Sequence, residues 1–372
     1  MNGASPGSGL RVPARPRPAA QEGAWQRLRR GLFPGGFASL ATLMVLALAL
    51  WTLPQWGAWA VVHAVWGADA EACQAARGQG ACWGVIVEKH RLILLGRYPY
   101  EAQWRPVLAS VVLAGLIACS GWPRCWRPWL GAAWALGLAA VWALMGGGVL
   151  GLSEVPTDRW GGLPLTLMLA TVSIATAFPL GVAAALGRRS RLPAVRAVCT
   201  LYIELVRGVP LVSILFMASF LFPLLLPPGR TPDVLLRVWV GLSLFAGAYL
   251  AEIVRAGLQA VPAGQLEAAA SIGLGRWATL RLVVLPQALA SVVPSLMNSF
   301  IGLFKDTSLI TIVSLYELTG SLGLALNGDP EWRPYKVEGY LFISVIYFAI
   351  CFALSQYSRR LESHLARQQA RE

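Results

Sequence analysis

The sequence predicts an all-α, polytopic membrane protein on three observations. Of the 372 residues, 56% are hydrophobic and only 13% charged, against about 25% charged in a soluble domain. The apolar residues gather into runs that reach the roughly 20-residue length of a spanning helix. Those runs are continuous rather than alternating, which excludes barrel strands, and a lipid-facing backbone must close its hydrogen bonds in helices or a closed barrel. The formal net charge of +13 would suit nucleic acid. Here the arginines lie between apolar runs, where lipid headgroups attract them, so membrane lipid is the expected partner and nucleic acid is not.

Eight runs qualify, at about 38–62, 107–123, 129–152, 164–187, 209–228, 236–254, 287–304 and 339–357. The second and fifth are the short or proline-broken ones. Placing the N-terminus inside puts twenty of the 31 Lys and Arg residues in inside segments. The positive-inside bias then predicts both termini in the cytoplasm. Arg188, Arg189 and Arg191, directly after the fourth run, are the strongest single vote. Residues 1–36, with "RVPARPRPAA", are rich in proline and arginine and are expected to be a disordered basic cytoplasmic tail. They are not a secretory signal, because the apolar run starts too late and is too long, although "ADA" at Ala68–Ala70 faintly resembles a cleavage site.

Residues 37–163 form an expected N-terminal extension with three spans and an outer loop at 67–106. Its tryptophans, Trp51, Trp56, Trp59, Trp66, Trp104, Trp122, Trp126 and Trp129, fall mostly near expected membrane interfaces, where amphipathic rings anchor helices. From Gly161 onward polar residues enter the spans, and residues 164–372 read as a second part of five spans. Cys73 and Cys82 share the outer loop; a disulfide-closed loop and two unpaired thiols both fit. Cys119, Cys125, Cys199 and Cys351 read as small packing residues. Neither they nor the scattered His63, His90 and His364 have metal-ligand spacing, so no metal is expected.

One inside loop stands out, "VPAGQLEAAASIGLGRWATLRLVVLP", residues 261–286. Pro262 and Gly264 can start a short helix, with Glu267 expected in its first turn, where a carboxylate complements the positive helix end. Ala268 and Ala269 keep one face thin. Gly273 and Gly275 are expected to supply a left-handed stop, and Leu285-Pro286 to open the next span. An ordinary interfacial helix and a docking helix both satisfy this physics.

The pattern Glu267-Ala268-Ala269, then Gly273, then nine residues, then Val283-x-Leu285-Pro286 resembles the "EAA" loop of importer-type ABC permeases, departing only by Val283 where the family has Ile. "YIELVRGVPL", "YLAEIVRAGLQAVPAGQLEAA" and "NSFIGLFKDTSL" look like the polar amino-acid uptake branch, over about residues 161–365. The longer chain, with "LILLGRYPYEAQWRP", is similar to the long permease subunits of general L-amino-acid and glutamate/glutamine/aspartate/asparagine systems. The resemblance implies a five-helix permease core, a bacterial inner-membrane location and a cytoplasmic coupling loop at 262–286. It also implies four partners: a cytoplasmic ABC ATPase dimer, a second, shorter permease subunit, a periplasmic amino-acid-binding protein and the lipid around them. The only lysines are Lys89, Lys305 and Lys336, and none follows a glycine. A phosphate-binding GK[ST] loop is therefore absent. The chain is expected to be a transport permease rather than an enzyme, to hold no cofactor and to leave ATP and Mg to the ATPase.

Polar side chains at membrane depth are candidates for a translocation path. Asn298, Lys305 and Asp306 stand at i, i+7 and i+8, followed by Thr307 and Ser308. Asn298, Asp306, Thr307 and Ser308 are the candidate substrate-path residues, although Lys305 and Asp306 could simply pair with each other. Glu204 with Arg207, and Glu252 with Arg255, are i, i+3 pairs near inside ends, readable as helical ion pairs or as gate elements. The rival reading is an ion-coupled secondary amino-acid transporter. It predicts related halves with acids at the bilayer midplane, whereas most charges here sit at span ends. A scaffold or channel subunit is a third reading, without the repeated filter or charged ring a channel needs.

Overall fold

The fold is taken from a computed structural model that describes residues 24–149, 151–227 and 229–369; of the tail expected at 1–36, residues 1–23 lie outside them. The chain divides into two compact units, the first comprising residues up to Ala64 together with Ala76–Ala81. Within it, α1 (Ala24–Leu32) precedes the long apolar α2 (Gly36–Val62). Thr42 Oγ1, 2.7 Å from the carbonyl oxygen of Leu32, ties the two together. The basic tail expected through residue 36 therefore already contains helix.

The second unit holds everything else. It contains α3 (Ala70–Ala75), α4 (Gly84–Leu95), α5 (Trp104–Ser120), α6 (Trp129–Gly146), α7 (Gly162–Arg188) and α8 (Pro193–Arg207). There follow α9 (Leu211–Leu224), α10 (Val234–Ala260), α11 (Ala263–Ser271), α12 (Arg276–Val313), α13 (Leu318–Asn327) and α14 (Lys336–Gln369). Among the described residues seven helical stretches are long and apolar enough to span, and α8 with α9 makes an eighth only as a bent pair.

That bent pair differs from the single span expected at 209–228. Gly208 and Pro210 break the chain, and α8 meets α9 at 108°. A 14-residue α9 is about 21 Å long, short of a hydrocarbon core of about 30 Å. The span expected at 287–304 also starts earlier, at Arg276.

α7 and α10 form the centre of the unit. A methyl group at Gly181 would stand 2.8 Å from Leu250 Cβ, and one at Gly247 would stand 2.9 Å from Leu180 Cδ2. The side chains that could separate the two helices are therefore missing. Hydroxyls join the same seam, with Thr176 Oγ1 and Ser243 Oγ 2.7 Å apart.

The expected outer loop 67–106 is largely helical, and its α3 and α4, within the second unit, pack with the later helices. Cys73 and Cys82 are joined by a disulfide with a Cα–Cα separation of 5.4 Å. Both lie in a small core with Val85, Ile93, Leu318, Leu322, Trp332 and Tyr335. Two polar contacts fasten it. Glu338 Oε1 accepts from Cys82 N–H at 3.1 Å, and Lys89 Nζ stands 2.7 Å from Asp329 Oδ2.

The Lys89 ammonium holds the Asp329 carboxyl below its ordinary value. A depressed folded value means that the stabilisation is complete above the unfolded carboxyl pKa of about 3.9 and is lost as pH falls through the lower folded value. Thermal melts of the purified chain should therefore lose stability on acidification below about pH 4, and Asp329→Asn should remove that component of the slope.

Candidate functional site

α10 and α12 enclose a cleft of about 310 Å³ lined by Phe245, Tyr249, Ser299, Phe300, Gly302 and Asp306, among others. Ser299, Gly302 and Asp306 fall at i, i+3 and i+7, on one face of α12, and Gly302 contributes no side chain to fill it. The cleft combines a carboxylate and two hydroxyls with aromatic walls; the rings of Phe245 and Tyr249 lie 4.9 Å apart. Of the four residues expected in the path, only Asp306 lines it. Asn298 is exposed and lies one position off that face. Thr307 is wholly buried, its hydroxyl 2.7 Å from the Phe304 carbonyl oxygen. Ser308 is half-buried in the tighter turns that end α12. Lys305 and Asp306 form no ion pair with each other among the described residues. Tyr249 and Ser299 were missed because a lone Tyr or Ser in an apolar run reads as packing; their spacing to Phe245 and Asp306 was the available signal.

The charged groups at the α10 end near α11 form one network rather than two helical pairs. Arg188 reaches Glu204 at 2.7 Å and Glu252 at 3.3 Å, and Arg255 binds Glu252 as the i, i+3 spacing implies. The expected Glu204–Arg207 pair does not form. The fork of Arg188, at the end of α7, takes Glu204, while the Arg207 guanidinium lies over the Tyr249 ring at 5.5 Å. Sequence spacing sees only partners on the same helix, and here a crossing helix supplies a better one.

α11 and the turn after it form a stopped helical hairpin. Pro262 caps the start, and Gly273 has φ +78. Gly273 N–H donates to Ala270 O and Leu274 N–H to Ala269 O, both at 3.0 Å. These are the two bonds of a Schellman stop, which needs a residue free to adopt the left-handed region. Three expectations are corrected here. Glu267 is the fifth residue of α11, beyond the first turn, where the helix dipole acts most strongly. Gly275 is extended and caps α12 instead of turning left-handed. Leu285 and Pro286 lie inside α12, because a π-helical widening at Leu280–Val284 accommodates the proline and its missing N–H without ending the helix. Ala269 is buried and Ala268 exposed, while Leu266, Ile272 and Trp277 are all exposed at the tip, Ile272 at 76%.

A helical membrane fold with such a hairpin has a match among known families. Residues 177–367 fit the model of the binding-protein-dependent transport system inner membrane component. The chain belongs to that family. It is 44% identical over 356 residues to the inner membrane amino-acid ABC transporter permease protein YhdY of Escherichia coli (strain K12), covering 93% of this chain and 95% of that protein. It is 34% identical over 421 residues to the glutamate/glutamine/aspartate/asparagine transport system permease protein BztC of Rhodobacter capsulatus, covering 95% and 96%. A crystal structure of an amino acid ABC transporter with histidines aligns over 55% of this chain and 92% of its own, at 29% identity and a TM-score of 0.48. Family membership leaves the ion-coupled reading without support.

Sequence reasoning also missed Glu317. It is wholly buried, yet its carboxylate pairs with no cation among the described residues. Its Oε1 accepts from Gly320 N–H at 2.9 Å and from Thr311 Oγ1 at 3.3 Å, and its Oε2 from Tyr347 OH at 2.8 Å. Thr166 Oγ1 stands 3.4 Å from the same Oε2 and accepts from Leu318 N–H at 3.1 Å. One side chain thus ties α7, the end of α12, α13 and α14 together. Glu317→Ala should cost about 3 kcal/mol or more, since several buried donors lose their acceptor. Tyr347→Phe removes one donor and should cost about 1 kcal/mol. Thermal unfolding of the two variants in one detergent tests that ranking.

Proposed function

We propose that this permease is the membrane subunit of an importer of polar L-amino acids, with glutamate, glutamine, aspartate and asparagine as its substrate class. A soluble binding protein delivers the substrate at the outer face, and a separate ATPase dimer supplies the energy. The second permease of the pair is a related, shorter subunit, and both termini of this chain face the cytoplasm. The hairpin of α11 carries this reading. Its helix is held short by Gly273, its Ala268 side is thin, and it offers Leu266, Ile272 and Trp277 to a partner beside the Glu267 carboxylate. Such a tip can enter a cleft on another protein, and displacement of the hairpin is transmitted along α10 and α12 because it joins them. Binding of ATP shifts the equilibrium only by its differential affinity for the two states.

The cleft between α10 and α12 suits a zwitterion. Asp306 can accept the substrate ammonium, and the Ser299 and Tyr249 hydroxyls can donate to its carboxylate. Asn298 and Ser308 border the route. Glu204, Arg207, Glu252 and Arg255 form the gate at the hairpin end of α10, where rocking helices exchange partners of Arg188.

Two measurements test this reading. The complex is purified from its native membrane and assayed for co-purifying ATPase, with Gly273→Arg compared against Gly264→Ala. The first variant should lose the ATPase while keeping the partner permease, and the second should keep both. If the ATPase never accompanies the native chain, even after crosslinking, the coupling assignment fails. Asp306→Asn should lower uptake of radiolabelled glutamine or glutamate at least tenfold, consistent with loss of a charge-assisted hydrogen bond. Unchanged uptake would remove Asp306 from the path.

A further inference from the structure

A second, larger groove lies on the face of α4 and α5, away from the cleft. It encloses about 530 Å³ and includes His90, Arg91, Gln103, Trp104, Val107 and Val111 in its lining. One end is cationic and the rest is apolar. Val107, Leu108 and Val111 are exposed along the first two turns of α5, and α5 is part of a membrane span. From Trp104 to Val111 this track runs about 10 Å along the helix.

The cationic end is held in place. Arg91 Nε donates to Gln103 Oε1 at 2.8 Å, and its guanidinium lies 3.6 Å from the centre of the Tyr100 ring. Gln103 is itself buried and donates to Tyr98 O at 3.3 Å. The fork of Arg91 is therefore fixed from one edge and one face. Its two terminal nitrogens make no hydrogen bond or ion pair to the described residues, and no carboxylate lines the groove. His90 bonds Val87 O through Nδ1 at 2.7 Å, which leaves Nε2 available at the rim. Trp104 is 53% exposed beside them, an amphipathic ring of the kind that sits at headgroup depth.

We infer that this groove is a binding site for an anionic glycerophospholipid, with the phosphate on the pinned Arg91 and one acyl chain along Val107–Val111. The chemistry separates the two ends as a lipid does. A fixed guanidinium fork matches phosphate oxygens, and the ordering of Arg91 is already accomplished by Gln103 and Tyr100. The apolar track continues directly into the hydrocarbon region, where a free phosphate has no counterpart for it. This site anchors the α4–α5 corner to the bilayer, and through α4 steadies the small disulfide-linked core.

The test uses the complex that carries the full-length chain, extracted from its native membrane in mild detergent and mixed with equal amounts of phosphatidylglycerol and phosphatidylcholine, with bound lipid and subunits read by native mass spectrometry. Phosphatidylglycerol should be retained in preference by roughly tenfold, because both lipids offer a phosphate to Arg91 but only phosphatidylcholine brings a quaternary ammonium beside that guanidinium, which offsets the attraction. Arg91→Gln should bring the two lipids to parity. Arg360→Gln, an exposed arginine elsewhere, should leave the preference intact. Val107→Trp with Val111→Trp fills the track without touching Arg91 and should reduce phosphatidylglycerol retention severalfold. This second arm also holds if Arg91→Gln proves unstable. The inference is overturned if Arg91→Gln keeps the native preference. It is equally overturned if glycerol phosphate displaces the lipid at matched concentration, which would make this a headgroup-only site. Loss of the second permease from the tryptophan variant, with lipid retention unchanged, would assign the groove to a protein partner and also overturn it.

Discussion

Everything in the second unit depends on how closely α7 and α10 approach each other. Lipid tails are as apolar as leucine side chains, so helices inside a membrane gain little by hiding apolar surface from one another. What remains is mainly dispersion and interhelical hydrogen bonding, and dispersion falls steeply with distance. Gly181 and Gly247 remove the Cβ atoms that would hold the backbones apart. The close seam lets Thr176 and Ser243 meet, Trp239 Nε1 reach Thr176 at 3.2 Å, and Tyr202 OH reach the Leu244 carbonyl at 2.6 Å. Larger residues at these glycines would lose the packing and the hydroxyl bonds together.

α10 touches α12 by the same means, but only near the hairpin. A methyl at Gly257 would collide with the Ala288 carbonyl, so these two backbones also lie in near contact there. The helices run antiparallel from the hairpin, and eleven residues along α10 lies Ala246, at the cleft that also includes Ser299. Over that stretch of about 16 Å the small residues give way to Phe245, Tyr249 and Phe300, which are too wide to sustain the contact. The backbones meet at Gly257 and Ala288, and farther along Phe245, Tyr249 and Phe300 wall the cleft into which the polar groups of Asp306, Ser299 and Tyr249 fall.

Much of this was legible in the sequence, for identifiable reasons. The spanning helices were readable because their signal, a continuous apolar run, is local and does not depend on what the helix touches. The hairpin was readable because Gly273 marks a left-handed stop that few other residues tolerate. α9 was not, since hydropathy measures apolar length and does not register that Gly208 and Pro210 allow a 108° bend. The pairing of Glu204 was beyond reach for another reason: the choice between Arg207 and Arg188 is made by the crossing of α7 and α8. Glu317 carries no local signal of burial, and only the convergence of α7, the end of α12 and α14 on the start of α13 turns it into a buried acceptor.

The two ends of the unit differ in how firmly they are tied. At the hairpin end, Arg188, Glu204, Glu252 and Arg255 make ion pairs whose side chains are 24–56% exposed. Water can replace either partner there, and such pairs contribute roughly 0–1 kcal/mol each. At the other end the Glu317 carboxylate has no water to fall back on, so separating it from its donors exposes the full cost of burying them unpaired, about 1–3 kcal/mol per group. The disulfide and the buried Cys82–Glu338 bond reinforce that same end. A helix pair fastened this unevenly bends at its cheaper contacts first. The ion pairs beside α11 are therefore the contacts that separate at the lowest cost, and the bonds to Glu317 those that separate at the highest.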